Sequence, residues 1–288
     1  MPLINALLDR VRNEFSKPDV IWKREQVGKE DLEFLKKECM KDSDFDLLNK
    51  RKTMYDKMIQ KQAHLLFYKC KYGQILTICE DDQINQIPWS LWGRILRMFY
   101  EGKKFKVFFL AHKSLRTFPK GEITPENINA EFSITPENIN GGYTYQCNPE
   151  TIVIYRAEDA TRVLIHEIQH ALCLDKHENG VDAVEAETEA WAELIYIGIL
   201  SGGKKCIFDD MLNRQSEWIV KQNAKVKKHM KHMEFPWRYT VGKEEVWRRW
   251  NILTNVKSSL KVNSLRLTFP PNDLLKQRFN VSSDSNIL

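Results

Sequence analysis

Two histidines and a glutamate stand close together in the stretch LIHEIQHALCLD, which covers residues 164–175. His166 and His170 are four residues apart, so on a helix they project from one face about one turn apart. Both imidazoles can then bind one metal ion, with Glu167 beside the open coordination position as a general base. Zinc is the metal expected, because neutral imidazole suits it and a catalytic zinc site uses three protein ligands and a water molecule.

A third ligand is available in the segment AETEAWAEL, which follows the histidine pair. Eighteen residues, 171–188, separate His170 from Glu189, and Glu193 lies one helical turn further along the same face. Two helices joined by the turn DKHENGV can pack antiparallel, so we expect a carboxylate oxygen of Glu189 to converge with the two imidazoles. A metal-bound histidine usually donates its other N–H to a carboxylate, and Glu193 is predicted to accept it.

Other polar residues around the motif are assigned structural roles. His177 is the rival third ligand, but the pattern HExxHxxGxxH requires glycine at position 173 and histidine at position 176. The chain has Cys173 and Lys176 there, so His177 is interpreted as a loop residue and Cys173 as a buried helix residue. Glu185 stands three residues after Asp182, a spacing that indicates a capping box at the start of the second helix.

HExxH followed by eighteen residues and a glutamate resembles the ligand spacing of the gluzincin metallopeptidases, in particular their aminopeptidase branch. In gluzincins of the thermolysin type an acid four residues after the ligand glutamate orients the first histidine, and Glu189 followed by Glu193 resembles that arrangement. The resemblance covers about residues 150–200 and implies an α+β, zincin-like domain that is mostly helical with a small sheet. The GAMEN-like segment of the aminopeptidase branch is absent from the sequence, so aminopeptidase specificity does not carry over. The same segments also resemble uncharacterised zincin-like proteins of large DNA viruses.

The resemblance implies a zinc metallopeptidase that acts on a peptide or protein substrate. Glu167 would take a proton from the attacking water and pass it to the leaving amine. The alternative, from another class, is a catalytically silent zinc-binding structural or scaffold protein, for example of a virion. Gluzincins supply an oxyanion donor from a histidine or tyrosine downstream of the ligand glutamate. The residues available for this role are His229, His232 and Tyr239, and after them Tyr155 and Tyr196.

Three regions of the chain are predicted from the spacing of apolar residues and from glycine and proline. Residues 1–102 are predicted as a helical N-terminal region packed on the core, with helices up to Gly73. Residues 103–270 are predicted as the zincin-like catalytic domain, and residues 271–288 as a C-terminal tail with a frayed end.

The motif is expected to follow a β-hairpin directly. Strands 142–147 and 151–156 form the predicted hairpin, and the metal helix 159–174 and the glutamate helix 182–200 come after it. The hairpin is expected to keep an unpaired edge along the cleft and to bind substrate backbone as an added strand. Further strands are predicted at 74–80 and 105–111, and further helices at 88–102, 206–231 and 243–260.

The heptapeptide ITPENIN occurs twice, starting at Ile123 and at Ile134. Two copies eleven residues apart are too few for a solenoid, so they indicate a local duplication within a loop. A loop at this place in the chain could form the rim of a cleft.

Composition and charge narrow the class of protein. Hydrophobic residues at 42% and charged residues at 29% of 288 are typical of a folded chain, and the net charge of +5 gives no clear nucleic-acid signature. The lysine cluster at 221–231 is predicted as a solvated helix face, with binding to an acidic partner as the alternative.

The longest apolar run, at 194–200, is too short to span a membrane. Six scattered cysteines without a CxxC pair indicate a reducing compartment, the cytoplasm, or the host cytoplasm or a virion if the protein is viral.

Overall fold

The computed structural model describes residues 2–120, 133–175, 180–230, 235–253, 260–270 and 287–288. The elements in chain order are α1 (Pro2–Phe15), β1 (Lys23–Arg24), α2 (Lys29–Met40), α3 (Lys50–Ile59), β2 (His64–Lys69), β3 (Gly73–Cys79), a 3₁₀ helix (Asp81–Gln86), α4 (Trp89–Met98), β4 (Phe105–Leu110), α5 (Pro136–Ile139), β5 (Gly142–Thr144), β6 (Ile152–Ile154), α6 (Ala160–Ala171), α7 (Val181–Ser201), α8 (Lys205–Val226), α9 (Pro236–Tyr239) and α10 (Val241–Arg249).

A small mixed sheet of six strands has the order β1-β2-β3-β4-β6-β5. Its central strands β3 and β4 are almost continuous apolar runs, GQILTIC and FKVFFL, as expected for strands that are covered on both faces. The pairs β3–β4 and β4–β6 are parallel, whereas β1–β2, β2–β3 and β5–β6 are antiparallel. Among the described residues β5 pairs only with β6, so β5 is an edge strand.

Helices cover both faces of this sheet and bury two apolar clusters. Successive residues of a strand point to opposite faces, and the central strands divide their side chains accordingly. On β4, Val107 and Phe109 enter the larger cluster with α1, α4, α6, α7, α8 and α10, whereas Phe108 and Leu110 enter the smaller cluster with α2 and α3. The fold is therefore mixed α and β, with most of its helices on one side of the sheet.

The elements predicted around the motif are confirmed. The hairpin is present as β5 and β6, in which Tyr143 faces Val153, and the helices predicted at 159–174 and 182–200 are α6 and α7. The strands expected at 74–80 and 105–111 are β3 and β4. The helix expected at 206–231 ends earlier, at Val226, with Lys227 and Lys228 exposed beyond it.

The N-terminal region differs from the prediction because it supplies half of the sheet. Residues 1–72 were expected to be helical, but they contain β1 and β2 as well as helices. Gly73 does not end a helix: it begins β3, where a side chain would collide with the backbone oxygen of Phe105. The antiparallel partner β3 fixes HLLFYK as a strand, and local sequence preference alone does not reveal such a partner.

The last two residues are buried, which contradicts the prediction of a frayed end. The carbonyl oxygen of Ile287 accepts hydrogen bonds from the backbone N and the Oγ1 of Thr161, at 3.0 and 2.8 Å. The carbonyl oxygen of Leu288 accepts one from Nη2 of Arg266 at 2.6 Å. These contacts hold the start of α6, and the remainder of the predicted tail, 271–286, lies outside the described residues. None of the described helices is long and apolar enough to cross a membrane.

Candidate metal centre

Helix α6 is buried along most of its length, and hydrogen bonds fix its start. All of its residues from Ala160 to Gln169 are buried, and only its last turn approaches the surface. At its start, Asp159 accepts hydrogen bonds from Nε of Arg266 at 2.6 Å and from the backbone N of Leu267 at 2.9 Å. The side chains on the last turn are therefore carried by a fixed element.

Three potential ligand atoms converge where the last turn of α6 meets the first turns of α7. Nε2 of His166 and Nε2 of His170 are 2.9 Å apart, and Oε2 of Glu185 lies 3.4 and 3.7 Å from them. The three ligand atoms all lie within 4.8 Å of one another, and no other such group of three occurs in the described parts of the chain. Oε2 of Glu185 is buried and has no hydrogen-bond partner there. Two imidazoles and a carboxylate oxygen that makes no hydrogen bond form a donor set that fits a divalent metal ion.

Glu189, the predicted third ligand, contacts the other side of His166. Its Oε1 lies 3.0 Å from Nδ1 of His166, whereas Nε2 is the nitrogen that faces His170 and Glu185. The carboxylate of Glu189 is also paired with both terminal nitrogens of the buried Arg162, with Nη1 at 2.7 Å from Oε1. Arg162 lies one turn before His166 on α6, and this pairing draws Glu189 away from the shared point. The described structure therefore brings Glu185, and not the predicted Glu189, to the point that the two Nε2 atoms share.

Glu193 also lies away from its predicted position beside His166. It accepts hydrogen bonds from Nζ of Lys243 at 3.1 Å and from Oγ1 of Thr268 at 2.7 Å, in a buried network behind the site. Glu189, rather than Glu193, faces the outer nitrogen of His166. Glu185 thus lies where the ligand Glu189 was predicted, and Glu189 lies where the orienting acid Glu193 was predicted. The spacing of four residues between the two positions is kept.

The capping box predicted for the second helix does not form. Helix α7 begins at Val181 after Gly180, and no side chain caps it. Asp182 instead pairs with Nη2 of Arg238 at 2.7 Å. The side chain of Glu185 is consequently available to face the histidines.

The second histidine has its own orienting acid, which the sequence analysis did not identify. Oδ2 of Asp175 lies 2.8 Å from Nδ1 of His170. Each imidazole therefore turns Nδ1 to a carboxylate and Nε2 to the shared point. The contact is a hydrogen bond for His170 and an ion pair at 3.0 Å for His166, and a carboxylate at this place orients a metal-binding histidine. The available signal was an acid directly after the end of the HExxH helix, in HALCLD.

The electrostatic field of the cluster favours positive charge. Burial would lower the pKa of His166, but the charge of Glu189 and the closeness of Glu185 outweigh it and raise the pKa to about 10. Burial would raise the pKa of Glu185, but the two imidazoles lower it to about 2. Burial also opposes ionisation of Glu189, but Arg162 and His166 hold its pKa well below the usual range. A cation bound between these groups would experience the same attraction.

Glu167 lies beside the edge strand in the same cleft. The cleft has a volume of about 450 Å³ and is lined by the three potential ligands, by Glu167 and by β5. A Cβ atom built on Gly142 would be 3.4 Å from Oε1 of Glu167, so the carboxylate lies directly against the strand. Burial is the main cause that raises the pKa of Glu167. The second ITPENIN copy contributes Ile139 to the wall of the cleft, and the start of the first copy, Ile123, lies outside the described residues.

Among the candidate oxyanion donors, Tyr239 is the one that the described structure brings to the cleft. Tyr239 lines it, and burial together with the charge of Glu185 raises its pKa well above the usual value. His229 is buried elsewhere, with its ring 5.4 Å from that of Phe118. Tyr155 donates to the carbonyl oxygen of Phe45 at 2.8 Å, and Tyr196 is fully buried away from the cleft lining. The remaining candidate, His232, and the rival ligand His177 both lie outside the described residues.

A disulfide joins Cys147 to Cys173, with the Cα atoms 5.0 Å apart. Cys173 is thus not the buried helix residue that was predicted: it is exposed in the turn after α6. The backbone N of Cys147 also donates to the carbonyl oxygen of His170 at 3.1 Å. The turn of the hairpin is therefore tied to the end of α6. The two cysteines are 26 residues apart, and nothing in that spacing indicated a pair.

Comparisons with known proteins do not assign the chain to a family. No family model matches it, and searches of curated proteins and of solved structures find no match either. The chemistry of the centre is therefore argued from its own geometry.

Proposed function

We propose that this protein is a zinc-dependent metallopeptidase in which His166, His170 and Glu185 hold the metal and Glu167 is the general base. The observation that carries the proposal is the buried Oε2 of Glu185, which makes no hydrogen bond among the described residues and faces Nε2 of both histidines at 3.4 and 3.7 Å. Glu167 lies in the same cleft and beside these groups, and a site that only holds a metal does not need an extra carboxylate there. This combination favours hydrolysis over a purely structural site.

The chain's own residues can carry the proton transfers. When bound, the metal supplies Lewis-acid activation of water and polarisation of the scissile carbonyl. Glu167 accepts the proton of the attacking water and delivers it to the leaving amine. Glu189 and Asp175 hold the two imidazoles in the orientation that directs Nε2 towards the metal.

The edge strand β5 supports a peptide as the substrate. Its outer N–H and C=O groups have no partner strand in the described structure, and the strand runs along the cleft next to Glu167. An extended peptide can pair with such an edge through its backbone, whatever its side chains are. A substrate bound in this way has its carbonyl groups close to the general base.

Metal analysis combined with a peptide-cleavage screen tests the proposal. We expect the purified protein to hold about one equivalent of zinc and to cleave members of a diverse peptide library. A chelator should abolish cleavage and added Zn²⁺ should restore it, whereas His166→Ala should lose both metal and cleavage. Zinc binding without any cleavage would instead favour the catalytically silent scaffold.

Tyr239 is the predicted donor to the oxyanion. Tyr239→Phe removes only the hydroxyl, so we expect the turnover rate to fall about a hundredfold while zinc remains bound. Steady-state kinetics on a cleaved peptide would measure the change. Tyr196→Phe is the matched control, because it removes a buried hydroxyl away from the cleft. Normal turnover by the Tyr239 variant would assign the donor to another residue.

A further inference from the structure

Two buried arginines beside the start of the edge strand have nitrogens without partners. Arg116 and Arg156 are 0% and 1% exposed. Nη2 of Arg116 and Nε and Nη1 of Arg156 have no hydrogen-bond partner within the described structure. Buried polar groups are almost always paired, so unpartnered donors on two charged side chains mark a place where an acceptor can bind.

The other nitrogens of Arg116 are fixed, and this fixes the direction of Nη2. Nε donates to the carbonyl oxygen of Ile139 at 2.6 Å, and Nη1 donates to that of Glu158 at 2.5 Å. The guanidinium lies against Gly141, where any side chain would collide with Nη2. Arg116 and Gly141 both line the cleft that contains the metal centre. Arg116 therefore lies in the cleft wall directly before β5, with its unpartnered nitrogen buried against Gly141.

The carboxylates around the pair do not reach its unpartnered nitrogens. Glu158 and Asp159 lie 3.5 and 3.7 Å from Nη1 of Arg116, and neither ion pair involves Nη2. Arg156 forms one ion pair among the described residues, through Nη2 with Glu137 at 3.8 Å, and Lys50 pairs with the same carboxylate. Burial and the charge of Arg116 lower the pKa of Arg156 to about 9. An anion at this place would pair with the unpartnered nitrogens.

We propose that Arg116 binds a carboxylate of the peptide substrate at the Gly141 end of β5, an inference that rests on the proposed peptidase function. Nη2 is the nitrogen of Arg116 that is left for this charge-assisted hydrogen bond, because Nε and Nη1 already donate to backbone carbonyl oxygens. Arg156 lies behind Arg116 and adds positive charge.

The position of Arg116 also fixes where in the substrate the carboxylate must lie. Gly141 contacts Arg116 and the next residue, Gly142, contacts Glu167. Adjacent residues of a strand are about 3.3 Å apart, so a peptide on β5 has its carboxylate one or two residues from the bond that Glu167 attacks. That carboxylate is either the C-terminus of a short peptide or an acidic side chain next to the scissile bond.

Matched peptide pairs test the proposal and distinguish the two sources. One pair carries a free C-terminal carboxylate or a C-terminal amide, and a second pair carries Glu or Gln next to the cleaved bond. We expect the wild-type protein to favour the carboxylate member of one pair by about 10- to 100-fold in kcat/KM, the usual effect of a charge-assisted hydrogen bond. The pair that shows the preference identifies the source.

Two variants relate the preference to Arg116. Arg116→Lys keeps the charge but loses Nη2, and Gly141→Ala keeps Arg116 but displaces it, so in each the preference should fall to near one. Gly141→Ala is the variant in which the preference is measured if Arg116→Lys does not fold. Arg97→Lys is the control, an arginine outside the cleft lining that pairs with Glu14, and it should keep the wild-type preference. No preference in the wild-type protein, or an unchanged preference in folded Arg116→Lys, would overturn the proposal.

Calorimetric binding of the same peptide pairs separates this proposal from the proposed function. If no peptide is cleaved but the carboxylate members bind more tightly to the wild-type protein than to Arg116→Lys, the anion site stands and the peptidase function fails. If cleavage occurs and neither kcat/KM nor binding distinguishes the members of a pair, the peptidase function stands and the anion site fails.

Discussion

Glu167→Gln is expected to lower peptide hydrolysis by about two to four orders of magnitude while zinc stays bound, the range typical of the loss of a general base. Glutamine keeps the size of the side chain and its capacity for hydrogen bonds, but its amide cannot accept the proton of the attacking water. Zinc content and thermal stability should stay near the wild-type values, because none of the three potential ligands is changed.

The kinetics of Glu167→Gln need a control for the loss of one carboxylate. Glu187→Gln, on α7, removes a surface carboxylate that pairs with Arg249, and it should cleave like the wild-type protein. Parallel measurements of kcat/KM, zinc content and melting temperature would compare the variants. Full activity in Glu167→Gln would show that Glu167 is not the base and that the proposed mechanism is wrong.

Glu185→Gln is expected to weaken zinc binding by more than about a hundredfold, because it removes the charged oxygen that faces both imidazoles. Glu189→Gln should weaken it by about 10- to 100-fold, since Glu189 only orients His166. Glu189→Gln should also destabilise the fold, by about 3–5 kcal/mol, because it removes the nearer of the two carboxylates that pair with the buried Arg162. Competition with a chelator of known affinity measures the first effect, and denaturant unfolding measures the second.

Glu193→Gln completes this series on the same helix. Glu193 pairs with Lys243 behind the site and contacts neither histidine, so its variant should lose stability and keep zinc affinity close to that of the wild-type protein. A larger loss of zinc affinity in Glu189→Gln than in Glu185→Gln would return the ligand role to Glu189.

Sequence reasoning predicted those parts of the site that depend on a single helix. His166, Glu167 and His170 lie within two turns of α6, so helical geometry alone brings them together. Glu185, Glu189 and Glu193 repeat every four residues on α7 and form one stripe, so their spacing indicates a face but not a position along it. The buried partners Arg162 and Lys243 select that position through tertiary packing. These contacts are distant in sequence and cannot be derived from the spacing.

The strands were also predicted where the signal lies within one stretch of sequence, and missed where it depends on a distant partner. The apolar runs of β3 and β4 predicted strands, because residues buried on both faces leave a continuous signal. Strands β1 and β2 were missed, since the partner strand rather than composition stabilises them. The contact between Asp175 and His170 and the pairing of Cys147 with Cys173 also depend on how the chain returns to the end of α6.

The Cys147–Cys173 bond makes a covalent ring out of the chain between them, and this ring contains β6 and all of α6. A single backbone cut inside the ring therefore leaves both pieces in one molecule. A protein nicked there, by itself or by another protease, would run as one band on a denaturing gel until a reductant is added and two fragments separate. Gels run without reductant would consequently miss any self-cleavage inside the ring.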